Sequence, residues 1–160
     1  MKTRTFTSIV ILILAVLIVA GSCATGKKMI TVDDAMKQFE GVYVNTEYSG
    51  LKTTQPQKYV ITSDGRIEDW SIATNEYPSF RDQYTVVESW ADSKGNMYCT
   101  VDIISGSYKI KALWKLDKSG NTLEVNFTYG SGGDYPTKID STPDPNAFRR
   151  IYYCIWYRQE

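Results

Sequence analysis

Between Tyr108 and Tyr129 the chain alternates with a period of two. Tyr108, Ile110, Ala112, Trp114 and Leu116 are apolar, and Lys109, Lys111 and Lys115 stand between them. Leu123, Val125, Phe127 and Tyr129 then alternate with Glu124, Asn126 and Thr128. Successive side chains of a strand point to opposite faces, so each stretch gains one apolar and one polar face. Asp117-Lys118-Ser119-Gly120-Asn121 interrupts the run. Two such strands around a Gly-containing turn predict a hairpin with a buried, aromatic-rich face.

From Gly41 onward the same signal repeats. Strands are expected over 42–48, 57–62, 66–72, 80–90, 97–104, 108–116, 122–129 and 149–158. Gly, Pro, Asp, Asn and Ser gather between them. Ser63-Asp64-Gly65 and Ser105-Gly106-Ser107 are tight enough to impose antiparallel hairpins. Sequential antiparallel strands with short links predict an all-β fold, an eight-stranded up-and-down barrel whose closure removes the sheet edges. A two-sheet β-sandwich is the alternative. Ahead of the strands, Thr31 can cap a helix whose first turn holds Asp33 and Asp34, and Gly41 ends it after about two turns.

Link lengths give the barrel a polarity. Segments 49–56, 73–79, 105–107 and 130–148 fall at one end, and 63–65, 91–96 and 117–121 fall at the other, together with the helix. The long-looped end is the expected mouth, and a barrel of this size can hold one small ligand there. Loop 130–148 is expected to be its lid, hinged at Gly130-Ser131-Gly132-Gly133 and carrying Asp134 and Tyr135. Strand phase makes Trp70, Tyr84, Trp90, Tyr108, Trp114, Phe127 and Tyr129 the candidate ligand-binding residues. Core packing is the plainer account of such aromatics, and a cavity is the other. The 12 Tyr lean toward a half-wet pocket, because a buried phenol needs a partner.

Composition narrows the chemistry. The net charge is zero, which gives no electrostatic ground for nucleic-acid binding. With no histidine, the commonest acid–base residue and metal ligand is missing. Asp69 or Glu88 could face inward by phase, but neither forms an evident catalytic pair. Asp134, Asp140 and Asp144 match no calcium-loop spacing. The expectation is therefore no enzyme, no cofactor and no metal.

Residues 1–22 read as a lipoprotein signal peptide. Lys2 and Arg4 precede the apolar run Ile9 to Ala20, and Ala20-Gly21-Ser22-Cys23 follows. This ending resembles the bacterial lipobox, which implies acylation of Cys23, palmitate included, and a membrane anchor. Residues 23–28 would be a lipidated tether and 29–160 the domain. The expected address is the bacterial cell envelope, most readily the outer membrane. Cys99 and Cys154 lie on strands almost opposite each other in the barrel, too far apart for a disulfide, so two buried thiols are expected.

A short helix, Gly41-Val42-Tyr43 opening the first barrel strand, an eight-strand meander and Arg158 late in the last strand together resemble lipocalins, or calycins more widely. The chain is similar in particular to the lipocalin-like domains of bacterial lipoproteins, over roughly 29–160. The resemblance implies that Tyr43 packs under Arg158 and that the barrel binds a small apolar molecule. An interaction module of the envelope, with a filled barrel docking a protein partner, is the other reading.

Overall fold

The structure, a computed structural model, describes residues 26–48, 51–71, 78–130, 134–142 and 151–160. Residues 1–25, which hold the expected signal peptide, Cys23 and half of the expected tether, lie outside the described residues. The described residues form β1 (Lys28–Met29), α1 (Val32–Phe39), β2 (Gly41–Tyr48), β3 (Leu51–Ile61), β4 (Arg66–Ser71), β5 (Pro78–Ala91), β6 (Met97–Ser105), β7 (Tyr108–Leu116), β8 (Thr122–Tyr129) and β9 (Tyr152–Arg158). Strands β2 to β9 pair in chain order, each antiparallel to the next. β9 returns to β2, so the sheet closes on itself. The eight-stranded up-and-down barrel is the fold, and the sandwich does not form.

One end is sealed by α1. Thr31 caps the helix by accepting the Asp34 N–H at 3.2 Å, and Ala35 and Phe39 turn into the barrel. The Phe39 ring lies 5.8 Å from the ring of Trp114, which is fully buried. Tyr43 and Arg158 meet here as the sequence predicts. The guanidinium sits 5.2 Å from the Tyr43 ring centroid and donates to the Tyr43 hydroxyl at 2.6 Å. It also donates to the carbonyls of Gln38 and Glu40, which the end of the helix leaves unpaired. Tyr43 in turn donates to the Phe39 carbonyl. Gly41 is required by closeness, since a Cβ there would stand 3.0 Å from Arg158 Nε. One arginine thus ties the last strand, the first barrel strand and the helix together.

β5 is long enough to serve two neighbours. Its first half pairs with β4 and its second half with β6, with Gln83 bonded to both. Beyond β4, the free edge of β5 is covered by β1 and by Ile30, whose N–H donates to the Ser89 carbonyl. Ser89 Oγ donates back to the Ile30 carbonyl. Lys28, read as tether, is therefore already part of the sheet.

Three expectations are corrected. Segment 49–56 is largely strand, not loop, because β3 starts at Leu51. The pairing with β2 jumps from Asn45↔Gln57 to Glu47↔Lys52, so Pro56 sits in a bulge where no ladder N–H is needed. Trp90 faces outward. β5 pairs through Val86↔Val101 and then Glu88↔Thr100, and this one-residue bulge reverses the phase after Tyr84 and Val86. Trp70 also faces outward. Ile61 and Ile67 are paired on the inner face, so the alternation carries Asp69 inward and Trp70 out.

Candidate functional site

A cavity of about 850 Å³ occupies the barrel above Trp114 and opens at the end formed by the β6–β7 turn. Its lining divides by strand. β7, β8 and β9 contribute Ile110, Trp114, Val125, Phe127, Cys154 and Trp156. The opposite wall, on β2 to β6, contributes Asn45, Gln57, Asp69, Asp82 and Ser105. The same wall also carries Tyr59, Ile67 and Ile103, so one side is aromatic and aliphatic, and the other mixes apolar side chains with amides, a hydroxyl and two carboxylates.

Depth follows from topology. Trp114, toward the end of β7 and against Val125, is 0% exposed and forms the floor with Trp156. Tyr108 begins β7 and Tyr129 ends β8, so both stand at the rim, 64% and 49% exposed. Their rings meet edge to face at 6.0 Å, and Tyr152 joins Tyr129 and Phe127 in the same cluster. Tyr59 stacks on Trp156 at 4.3 Å and donates to Gln57 Oε1 at 2.7 Å. The indole N–H of Trp114 is buried and has no hydrogen-bond partner among the described residues, and that of Trp156 is buried beside the Cys154 thiol.

Asp69 and Asp82 stand on neighbouring strands. Asp82 is directly opposite Ile67, and Asp69 is opposite Phe80. That makes the two aspartates diagonal neighbours on the inner face, roughly 7–8 Å apart between Cα atoms. Asp69 Oδ1 is buried without a partner. Burial, and then the charge of Asp82, push the Asp69 carboxyl up to about 6. Burial also raises Asp82, and the Ser105 hydroxyl offsets part of that. Among the described residues, no ion pair involves either carboxylate.

Of the residues singled out by sequence, Tyr108, Trp114, Phe127 and Tyr129 line the cavity. Tyr84 points inward but lies beneath the floor, 5.2 Å from Trp114, with its hydroxyl on the Thr62 carbonyl. Trp70 donates to Glu68 on the outer face, with Lys58 over its ring. Trp90 stacks on Tyr98 outside the barrel, under Lys27. Trp156, Tyr59 and Asp82 were not foreseen. The signal that would have found Asp82 is its spacing of two from Tyr84, an even step on one strand face. Cys99 and Cys154 are free and buried, as the strand order requires. Burial pushes the Cys154 thiol up to about 12, with Trp156 beside it offsetting part of the rise.

The described part of the expected lid lies elsewhere, and 131–133 and 143–148 lie outside the described residues. Residues 134–142 run along the outside of the wall formed by β6, β7 and β8. Tyr135 donates to Asp102 at 2.5 Å and lies under Lys111, and both of these partners alternate with inward neighbours. Asn126, also outward on β8, exchanges two hydrogen bonds with the peptide groups of Asp140: its amide donates at 3.0 Å and its oxygen accepts at 2.7 Å. This strap buries Asn126 and Leu113 on the outer face. Asp134 and Tyr135 therefore belong to the strap and not to the mouth. The reason is chemical: outer positions that are buried, Leu113 and Asn126, need a cover, and 134–142 supplies it. Among the described residues, no group of three or more His, Cys, Asp or Glu could hold a metal ion.

No family model, no curated protein and no solved structure matches this chain.

Proposed function

We propose that this chain is a small-molecule-binding lipoprotein of the lipocalin type, a binder and not an enzyme. Cys23 is acylated and holds the domain to a membrane of the bacterial envelope, and the barrel takes up one mostly apolar molecule. The observation that carries the reading is the cavity of about 850 Å³ with an aromatic wall and an open rim. That volume lies within the range of small-ligand sites, which are largely apolar with a few placed polar groups. The interaction-module reading rests on a filled barrel and has less support for that reason.

Chain length adds an orientation. β1 starts at Lys28 and pairs with Ala91, near the sealed end. Five residues, 23–27, reach at most about 18 Å even when fully extended. An acylated Cys23 would hold the sealed end toward the bilayer and turn the mouth away from it. The ligand then enters from the aqueous side.

Two measurements test the reading. Organic extracts of natively purified protein, examined by mass spectrometry, should contain one small molecule in stoichiometric amount. Ile110→Trp, which fills the cavity from its wall, should lose that molecule while keeping the wild-type circular dichroism. A wild-type extract with no bound compound, together with no response to apolar probes, would remove the carrier reading.

A further inference from the structure

We propose that the ligand carries a protonated nitrogen, an amine on an apolar body, seated between Asp69 and Asp82 with its body against Trp114, Phe127 and Trp156. The inference rests on the ligand-binding reading and specifies the chemistry of that same site. Four observations support it. The two carboxylates share the inner face as diagonal neighbours, roughly 7–8 Å apart at Cα, and an ammonium between them can donate to both. Asp69 Oδ1 is shielded from solvent and has no donor of its own. Among the described residues the cavity lining holds no Lys or Arg, so the two negative charges face each other without internal compensation. Finally, Trp114, Phe127 and Trp156 stand on the strands across the barrel from β4 and β5, so an apolar body can reach them while the head stays at the carboxylates, with Ile67 and Ile103 beside it.

A buried carboxylate is costly unless paired, and breaking even with solvent requires a cation or a proton. Burial already favours the protonated form of Asp69, which is the response expected of an acid whose partner arrives from outside. A divalent metal fits less well. Calcium takes six to eight oxygen ligands, and the described residues offer no cluster of three acidic groups. The unpartnered indole N–H of Trp114 adds a further demand: an amine that also carries a carbonyl or ether oxygen near its apolar end would be held better than a plain hydrocarbon.

The test is a calorimetric titration of the wild-type domain with three decyl probes that differ only at the head: decylamine, decanol and decanoate. A second set with an aryl body, 4-phenylbutylamine and 4-phenylbutanol, is run in parallel. The expected result is amine over alcohol by at least about tenfold, which corresponds to about 1.4 kcal/mol, with decanoate weakest. In Asp69→Asn and in Asp82→Asn, the ratio of amine to alcohol affinity should fall toward one. Equal binding of amine and alcohol by the wild type overturns the cationic assignment and leaves the apolar carrier standing. Binding of none of the probes overturns both. Calcium ion that displaces decylamine at equal concentration would assign the carboxylates to a metal and overturn the proposal.

Discussion

At the scale of single residues, the costly placements are the informative ones. Asp69 lies inward because Ile67, two residues earlier, fixes the face of β4. Its carboxyl is raised to about 6 by burial. A raised carboxyl binds its proton more tightly in the folded than in the unfolded chain, so the stability it contributes is full below pH 4 and is lost as pH rises through 6. Asp69→Asn should therefore raise Tm by several degrees at pH 8 and leave it nearly unchanged at pH 4, which differential scanning calorimetry at the two pH values checks. Equal gains at both would mean that the carboxyl is not held in a low-dielectric site. Arg158 is the opposite case: its Nε is buried without a partner, but the rest of the guanidinium is held by two carbonyls, the Tyr43 hydroxyl and the Tyr43 ring. Tyr43→Ala and Arg158→Ala should each lose about 1–3 kcal/mol, through packing, the cation–π contact and the uncapped carbonyls. In the double-mutant cycle the losses should be non-additive, and simple addition would mean the two side chains act independently.

At the scale of elements, period-two alternation was sufficient wherever strands are regular. The spans Tyr108–Leu116 and Thr122–Tyr129 stand as expected, and Tyr43 meets Arg158. It failed where the ladder slips. A bulge after Val86 turned Trp90 outward, and the bulge holding Pro56 disguised strand as loop. Bulges leave little trace in composition, since the extra residue can be of almost any type. The strap 134–142 was misplaced for a different reason. Its partners Asn126, Asp102 and Lys111 read as ordinary solvent-facing polar residues, and only the three-dimensional register shows them under one segment. Asn126 is 0% exposed and supplies the amide that pairs with Asp140. Asn126→Leu leaves both peptide groups of Asp140 without partners, at about 1–3 kcal/mol. Hydrogen exchange should show the Asp140 amide losing protection first, while amides of β7 and β8 keep theirs. If the barrel strands lose protection equally, the strap is not a separable element.

At the scale of the molecule, one end is committed to stability and the other to access. The sealed end gathers α1, the Arg158 contacts and Gly65. A Cβ at Gly65 would stand 2.9 Å from the Tyr84 carbonyl in a left-handed backbone conformation, which only glycine adopts without strain. The open end carries the rim tyrosines above the cavity. The thiols of Cys99 and Cys154 are buried within the barrel. Cys99 and Cys154 should react with a thiol reagent only after denaturation, and a linked peptide in a non-reducing digest would contradict the strand order. The central claim, that the barrel interior is a binding site, has an internal control in the four tryptophans. Trp114 and Trp156 line the cavity, whereas Trp70 and Trp90 lie on the outer face. The direct measurement is a nitrogen–proton correlation spectrum of the indole N–H groups during titration with decylamine and decanol. The account predicts that the Trp114 and Trp156 signals shift saturably while those of Trp70 and Trp90 stay in place. Shifts confined to Trp70 and Trp90, or no shift in any of the four, would contradict it.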